Sequence, residues 1–566
     1  MKRTGILCIL VALAMLACAC AKKPKAEQAV PAAAETPAAA QEQAAEVPPE
    51  EADGGAGEYV LTDERLRPGE RIGDGRRVFY EIFTGSFSDS DGDGTGDLGG
   101  VLRRLDYLND GDPASGKSLG IGGIWLTPVF PSPSYHKYDV VDYFSIDPAF
   151  GTMEDLEALI AECHARDVLL ILDLPLNHSS DRNEWFLRFA EARKAGDAQN
   201  EYYDFYSCYD SAAEQAPAGR TFRQIPDSTV CYECNFSGDM PEFNFDSQAV
   251  RERLLDVACF WLEKGVDGFR FDAAKYVYFG DADGNMDFWS WYTDALRSAK
   301  PDIYMVGEVW DGDGITLQYA PYMNCFNFTA SQTEGMIAAT AKHGDVSTFT
   351  GYVQRHISRL EERRADAFPV LFIANHDTDR AAGYLTAASW TMQMAANLYI
   401  LSPGSPFIYY GEELGMRGSR GGAQTDANRR LAMLWGDGDA VRDPEGADYD
   451  PKKQVQSTAA GQIADPASLY TYYKKLLMIR AANPEIASGS YTPVRFPDTK
   501  AGGFIAEKDG KRVLVLHNTT MKEVALDLSA VPEFRPEELR AVIGQGDAAL
   551  EGMTVTIGEM TSVVLR

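Results

Sequence analysis

Residues Gly265 to Tyr276, GVDGFRFDAAKY, set an arginine and an aspartate two positions apart at the end of an otherwise apolar run. In a β-strand alternate residues share a face, so Gly268, Arg270 and Asp272 point one way while Phe269 and Phe271 point the other. The pattern therefore carries a charged pair into an interior. Alone, an Arg-x-Asp pair reads more readily as a structural ion pair than as a functional one. The rest of the chain has to decide.

Working outward, the same kind of short apolar run recurs at Arg77–Phe83, Gly122–Thr127, Val168–Leu174, Val266–Asp272, Ile303–Glu308, Met323–Phe328, Pro369–Ala374 and Pro406–Tyr410. Helical periodicity follows the runs at Leu98–Leu108, Met153–Arg166, Ser247–Glu263, Asp287–Ala299, Val346–Arg364, Arg380–Leu401 and Leu469–Ala482, with a poorly defined helix around Ile315–Tyr319. Buried apolar strands alternating with helices mean a parallel sheet. Eight such units predict an α/β fold, a (β/α)8 TIM barrel. The barrel is expected over residues 58–178 and 247–485, interrupted after strand 3 by an inserted subdomain at 179–246. Beyond Asn483-Pro484 short strands replace the helical period, which predicts a C-terminal antiparallel β-sandwich domain over 486–566.

The chain of 566 residues begins with Lys2, Arg3, an apolar run Ile6 to Leu16 and the stretch MLACAC. The run is too short for a comfortable membrane span. It is similar to a bacterial lipoprotein signal over residues 1–20, with Cys18, or else Cys20, as the acylated residue; an ordinary secretory signal is the alternative. Residues 21–57 are almost only Ala, Pro, Glu, Gln and Lys, the composition of a disordered tether. The expected location is therefore outside the cytoplasm, held at a membrane by a lipid anchor. The net charge is −31, most of it in the folded part, which argues against nucleic acid as a partner and for a neutral or cationic ligand. Cys231 and Cys234 form a CxxC, but with only Cys208 nearby and no histidine pair at ligand spacing a disulfide among the three is expected rather than zinc. Cys163 and Cys259, in helical patterns, are expected as buried thiols.

Chemistry in a barrel of this kind sits at the C-terminal ends of its strands. Strand 3 ends in DLPLNH with Asp173, Asn177 and His178; strand 4 in Arg270 and Asp272; strand 5 in Glu308; and strand 7 leads into Asn375, His376 and Asp377. Several acids around one mouth cost energy unless they are used. The stretches DLPLNH, GFRFDAAKY, GEVW and FIANHD, in this order, resemble the four signature regions of the α-amylase family of glycoside hydrolases. YEIFTGSFSDSDGDGTGD, SPSYHKYDVVDY and MPEFNFD resemble three further family segments, so the resemblance runs from about residue 78 to the end.

The resemblance implies retaining hydrolysis of an α-glucan by double displacement. Asp272 would be the nucleophile, Glu308 the acid and then base, and Asp377 the third carboxylate. His178 and His376 would be neutral hydrogen-bond partners of the same sugar, Tyr138 its stacking platform, and Lys275 a contact beyond the scissile bond. Arg270 is expected to keep Asp272 ionised, while Glu308 holds its proton longer. The loop DSDGDGTGD spaces Asp89, Asp91, Asp93, Thr95 and Asp97 two apart, so that oxygens can wrap a hard cation. It resembles the calcium loop of the oligo-1,6-glucosidase branch, which implies a structural Ca2+. A second calcium near Asn177 is left open.

Within the family, Tyr135 stands where exo-acting oligo-1,6-glucosidases place an aspartate, Ala273 where enzymes cutting α-1,6 bonds carry valine, and Tyr276 where a histidine is usual. MPEFN is similar to the MPDLN form of amylases intermediate between oligo-1,6-glucosidases and neopullulanases. Together these imply an endo-acting α-amylase on α-1,4-glucans. The alternatives are an exo-acting α-glucosidase or oligo-1,6-glucosidase, a cyclomaltodextrinase-like or transglycosylating enzyme, and a non-catalytic surface glucan-binding protein, which loss of an acid would mark.

Overall fold

The computed structural model describes residues 75–385, 389–421 and 425–566. The signal, Cys18 and Cys20, and the tether lie outside them. Strands β1 (Phe79–Ile82), β2 (Gly123–Leu126), β3 (Leu169–Leu174), β4 (Gly268–Phe271), β5 (Tyr304–Gly307), β6 (Asn324–Cys325) and β7 (Phe407–Tyr409) form one parallel sheet in the order β7-β1-β2-β3-β4-β5-β6. The expected seventh run, Pro369–Ala374, forms no strand of its own. It closes the barrel through single parallel bridges, Phe326 to Val370 and Phe372 to Phe407. No helix among the described residues is long and apolar enough to cross a membrane.

Alternation along the strands separates two cores. Phe79, Trp125, Ile171, Tyr304, Val306, Phe326, Phe372 and Phe407 fill the barrel interior as one cluster. Tyr80, Phe269 and Phe271 belong instead to the larger outer cluster, which includes Leu254 and Trp261 of helix Gln248–Glu263 and Trp289 of helix Ala282–Ala299. The period-2 reading of Gly268–Asp272 therefore holds: the phenylalanines face the helices, and Arg270 stands above the aromatic plug, 5.2 Å from the Trp125 ring centroid. At Gly268 an added Cβ would fall 1.8 Å from the Tyr304 carbonyl oxygen, so only glycine lets β4 approach β5.

Between β3 and helix Gln248–Glu263 lie a helix, Glu184–Ala195, and a small antiparallel sheet of Cys208–Asp210, Val230–Glu233 and Phe222–Gln224. The expected disulfide is absent: Cys208, Cys231 and Cys234 are free thiols. Cys208 pairs across the ladder with Tyr232 and Cys231 with Tyr209, so Cys208 and Cys231 face opposite sides of this sheet. Cys163 is buried as expected, whereas Cys259 is only partly so. At the C-terminus a five-stranded antiparallel sheet and a three-stranded one share a core that includes Leu514, Leu516, Leu526, Val555, Ile557 and Val563. Three of these strands, Ser490–Arg495, Leu539–Gly544 and Ala548–Glu551, carry too little apolar alternation to be read from sequence.

After β7 the chain makes a tight turn whose Glu412 and Glu413 are both buried. Glu412 Oε1 accepts from the hydroxyls of Tyr399 (2.6 Å) and Tyr473 (2.8 Å). Glu413 Oε1 accepts from those of Tyr80 (2.8 Å) and Tyr107 (2.5 Å).

Candidate active site

Register brings the strand ends together: Asp173 of β3 is paired with Arg270 of β4, and Arg270 with Val306 of β5. Asp272 and Glu308, each one residue past its strand, continue the ladder through Asp272 N to Leu174 O (3.3 Å) and Glu308 N to Phe271 O (2.9 Å). The guanidinium of Arg270 is wholly buried and serves three carboxyls. Its Nη1 donates to Asp173 Oδ1 (2.7 Å) and Asp272 Oδ1 (2.6 Å), and its Nη2 to Glu308 Oε2 (2.7 Å). Ala273 N donates to the same Glu308 oxygen at 3.0 Å. To aim that N–H, Ala273 adopts φ 48°, ψ 37°, the left-handed region that a residue with a Cβ seldom occupies.

The NHD turn supplies the opposite wall. Asn375 Oδ1 accepts from Asp377 N (3.1 Å), and Asn375 N donates to Thr378 Oγ1 (2.8 Å), which fixes the turn. His376 Nε2 lies 3.0 Å from Asp377 Oδ2 and 2.6 Å from the Tyr138 hydroxyl, and the Tyr138 ring stacks on the His376 ring at 5.5 Å. Tyr138 OH in turn donates to Asp173 Oδ2 at 2.8 Å. Arg270, Asp173 and His376 are completely buried, while the side chains of Asp272, Glu308 and Asp377 keep 11%, 12% and 27% of their exposure. The cations stand behind, and the acids present the reachable oxygens.

Five carboxyls, those of Glu81, Asp173, Asp272, Glu308 and Asp377, face three basic groups here, those of Arg270, His376 and Arg430. Burial pushes Glu308 up to about 7, with Arg270 opposing and Asp272 adding. Burial likewise raises Asp272 to about 6 against the pull of Arg270. The expected order of the two acids stands, although Arg270 moderates the rise at Asp272 rather than lowering its pKa below the ordinary value. Asp377 goes the other way: burial would raise it, but His376 and Arg430 hold it well below the usual carboxylate range.

The two histidines were expected to be alike and are not. Burial lowers His178 to about 4, which leaves it neutral, and its buried Nε2 has no protein partner in the structure. For His376 burial also favours the neutral ring, but Asp377 and Glu81 on either side hold its pKa at about 10. The two acids therefore favour the charged ring, where the sequence reading expected a neutral one. Lys275 is turned to the loop after β5, its Nζ donating to Trp310 O (2.7 Å) and pairing with Asp311 (3.2 Å). Beside it Tyr276 meets the partly exposed Phe236 of the inserted segment edge-on at 5.3 Å.

Two residues of the wall escaped the sequence reading. Glu81 Oε1 lies 2.6 Å from His376 Nδ1, and the signal for it was a lone acid inside the apolar run of β1. Arg430, beyond β7, donates from Nη2 to Asp377 Oδ1 (2.7 Å) and from Nη1 to the Tyr135 hydroxyl (3.0 Å), and nothing local in the sequence marks it.

In the loop after β1, Asp89, Asp91 and Asp97 each offer a carboxylate oxygen, all within 4.8 Å of one another. Three hard oxygen donors at this spacing fit calcium chemistry. Asp93 stands outside that cluster, accepting from Thr95 N at 2.6 Å.

A parallel barrel whose strand ends gather an arginine-bound acid pair and a third ionised acid defines a glycosidase-type site. The α-amylase catalytic domain family matches residues 81–489. Alpha-amylase 3 of Dictyoglomus thermophilum is 34% identical over 493 residues, covering 86% of this chain and 93% of that protein. An oligo-1,6-glucosidase of a Bacillus species is 30% identical over 528 residues, covering 77% of this chain and 98% of its own. Among solved structures, Eubacterium rectale Amy13B superposes with a TM-score of 0.80 at 31% identity, covering 90% of this chain and 98% of that one. The chain belongs to the α-amylase family of glycoside hydrolases, enzymes that commonly bind calcium.

Proposed function

We propose that the chain is an endo-acting α-amylase that hydrolyses α-1,4-glucosidic bonds with retention of configuration. The observation that carries this is the single guanidinium of Arg270 shared by Asp272 and Glu308. Two carboxyls on one guanidinium are held close together, as the retaining route requires at about 5–5.5 Å. Asp272 attacks the anomeric carbon as the glycosidic C–O bond breaks, and the leaving oxygen takes the proton of Glu308. Water then attacks the same carbon, giving its proton to Glu308, and the bond to Asp272 breaks. Asp377, held ionised, accepts from hydroxyls of the sugar ring, while His178, His376 and Tyr138 line it and Lys275 faces the departing chain.

Endo action is favoured by Tyr135. A phenol that already accepts from Arg430 offers no carboxylate to cap a chain end. Starch with marked reducing ends and blocked non-reducing ends tests this reading. Rapid fragmentation into blocked oligosaccharides is expected; glucose as the sole product, and only from unblocked chains, favours the exo-acting alternative and overturns it.

Calcium held by Asp89, Asp91 and Asp97, with Asp93 and Thr95 beside them, would brace the loop and take no part in the reaction. Chelation should lower the melting temperature, and an unchanged melt rejects the site. The proposal extends to a lipid-anchored enzyme outside the cytoplasm, tethered by residues 21–57, with barrel, inserted and C-terminal domains as bounded above. Labelled fatty acid that fails to enter the full chain rejects the anchor.

A further inference from the structure

The inward row of β1 carries one acid, Glu81, at 1% exposure. An acid so deeply buried needs partners, and among the described residues the hydrogen-bond partners of its side chain belong to a single histidine. Its Oε1 accepts from the backbone N–H of His376 at 3.2 Å and lies 2.6 Å from Nδ1 of the ring. The far side of the ring faces Asp377 Oδ2 at 3.0 Å and the Tyr138 hydroxyl at 2.6 Å.

The hydrogens can be counted. A carboxylate only accepts, so Nδ1 carries a hydrogen directed at Glu81. Tyr138 has one hydroxyl hydrogen and directs it to Asp173 Oδ2 at 2.8 Å, so its oxygen accepts from the ring. Nε2 therefore meets two acceptors, Asp377 and Tyr138, and carries a hydrogen as well. A ring with hydrogen on both nitrogens is an imidazolium. The other charged groups around it do not alter the count: Arg430 Nε donates to the His376 carbonyl at 3.0 Å, and Arg270 reaches the ring only through Asp173 and Tyr138.

We infer that Glu81 is a positioning residue that fixes His376 as a permanent cation, so that its Nε2–H holds Asp377 as an acceptor-only carboxylate facing the sugar. This rests on the proposed reading that Asp377 touches the bound sugar. A neutral ring would present either a donor or an acceptor and would leave Asp377 with one cation fewer. Asp377 would then read the sugar's hydroxyls less strictly.

The experiment uses the full chain with 15N-labelled histidine, whose seven residues give a sparse spectrum. His376 is assigned by the signal lost in His376→Gln. At pH 8 the wild-type ring should show both nitrogens protonated, while His178 shows one. Glu81→Gln should render His376 neutral at that pH and lower kcat/KM by about 10–100-fold, the loss expected when a hydrogen bond to a charged group goes. Glu81→Asp, which keeps the charge, should restore part of both.

A wild-type His376 that is neutral at pH 8 overturns the inference without any variant, so an unfolded Glu81→Gln would not shelter it. A Glu81→Gln enzyme whose ring stays doubly protonated also overturns it, as does one with a neutral ring and unchanged kcat/KM. The spectra need no turnover. A wild type inactive on every glucan but holding the doubly protonated ring would sink the functional reading, not this one.

Discussion

At the barrel mouth, Asp173, Asp272 and Glu308 share the guanidinium of Arg270, whereas in the turn after β7 Glu412 and Glu413 are each held by two tyrosine hydroxyls. Both groups are buried, and burial pushes the pKa of every one of these five acids upward. The partners differ. Arginine favours the ionised form, so the mouth acids stop at about 6 to 7, where the proton can be exchanged near neutral pH. Tyrosines bring no charge, and Glu412 goes to about 8 and keeps its proton. Burial makes an acid unusual, and its partner decides whether it is usable.

The largest expected break in this comparison is Asp272→Asn. It keeps the shape and a hydrogen bond to Arg270 but removes the nucleophile, so kcat should fall by about 10^4 or more while glucan binding persists. A variant near full activity removes Asp272 from the reaction.

Next is Arg270→Met, which strands three acids. Loss of turnover together with a stability loss of about 3–5 kcal/mol is expected in denaturant titration. A loss of activity with unchanged stability would mean that Arg270 does not hold the group together.

The pH profile sharpens the contrast. Asp272 must be ionised and Glu308 protonated, so kcat/KM should fall below about 6 and above about 7. Those two limits belong to the coupled pair, about tenfold per pH unit on either side. A plateau that extends to pH 9 contradicts a buried proton donor.

The smallest effect is expected at Glu412→Gln, which replaces a carboxyl already neutral at pH 7. Activity should be unchanged, and stability at pH 7 should rise, because the amide needs no proton to enter the interior. The folded pKa of about 8 lies above the unfolded value of ~4.3, so wild-type stability from this group is full below the unfolded value and is lost as pH rises toward 8. The variant should lack that slope, and equal slopes would mean that Glu412 is ionised.

Much of the site could be read from the chain because β-strand alternation is local. Arg270 and Asp272 two apart, Glu308 at the end of its run and the NHD turn are fixed within a few residues of one another. What could not be read depends on distant partners. The pKa of His376 is raised by its chain neighbour Asp377 and also by Glu81, which β1 brings to it from 295 positions away. Arg430 reaches Asp377 from a loop with no periodicity of its own. The seventh run reads as a strand by composition, yet its neighbours leave it only single bridges, and the separation of Cys208 from Cys231 follows from a ladder register that cysteine spacing does not reveal.

The left-handed Ala273 carries a further consequence. One peptide unit leaves the nucleophile and, by its N–H, holds the acid, so the two steps of the reaction are mechanically joined through a residue already strained by roughly 1–3 kcal/mol. A β-branched replacement at 273 would not simply reshape the pocket beside the scissile bond. It would tug on Asp272 and Glu308 at once, so bond preference and the timing of proton transfer are inherited together.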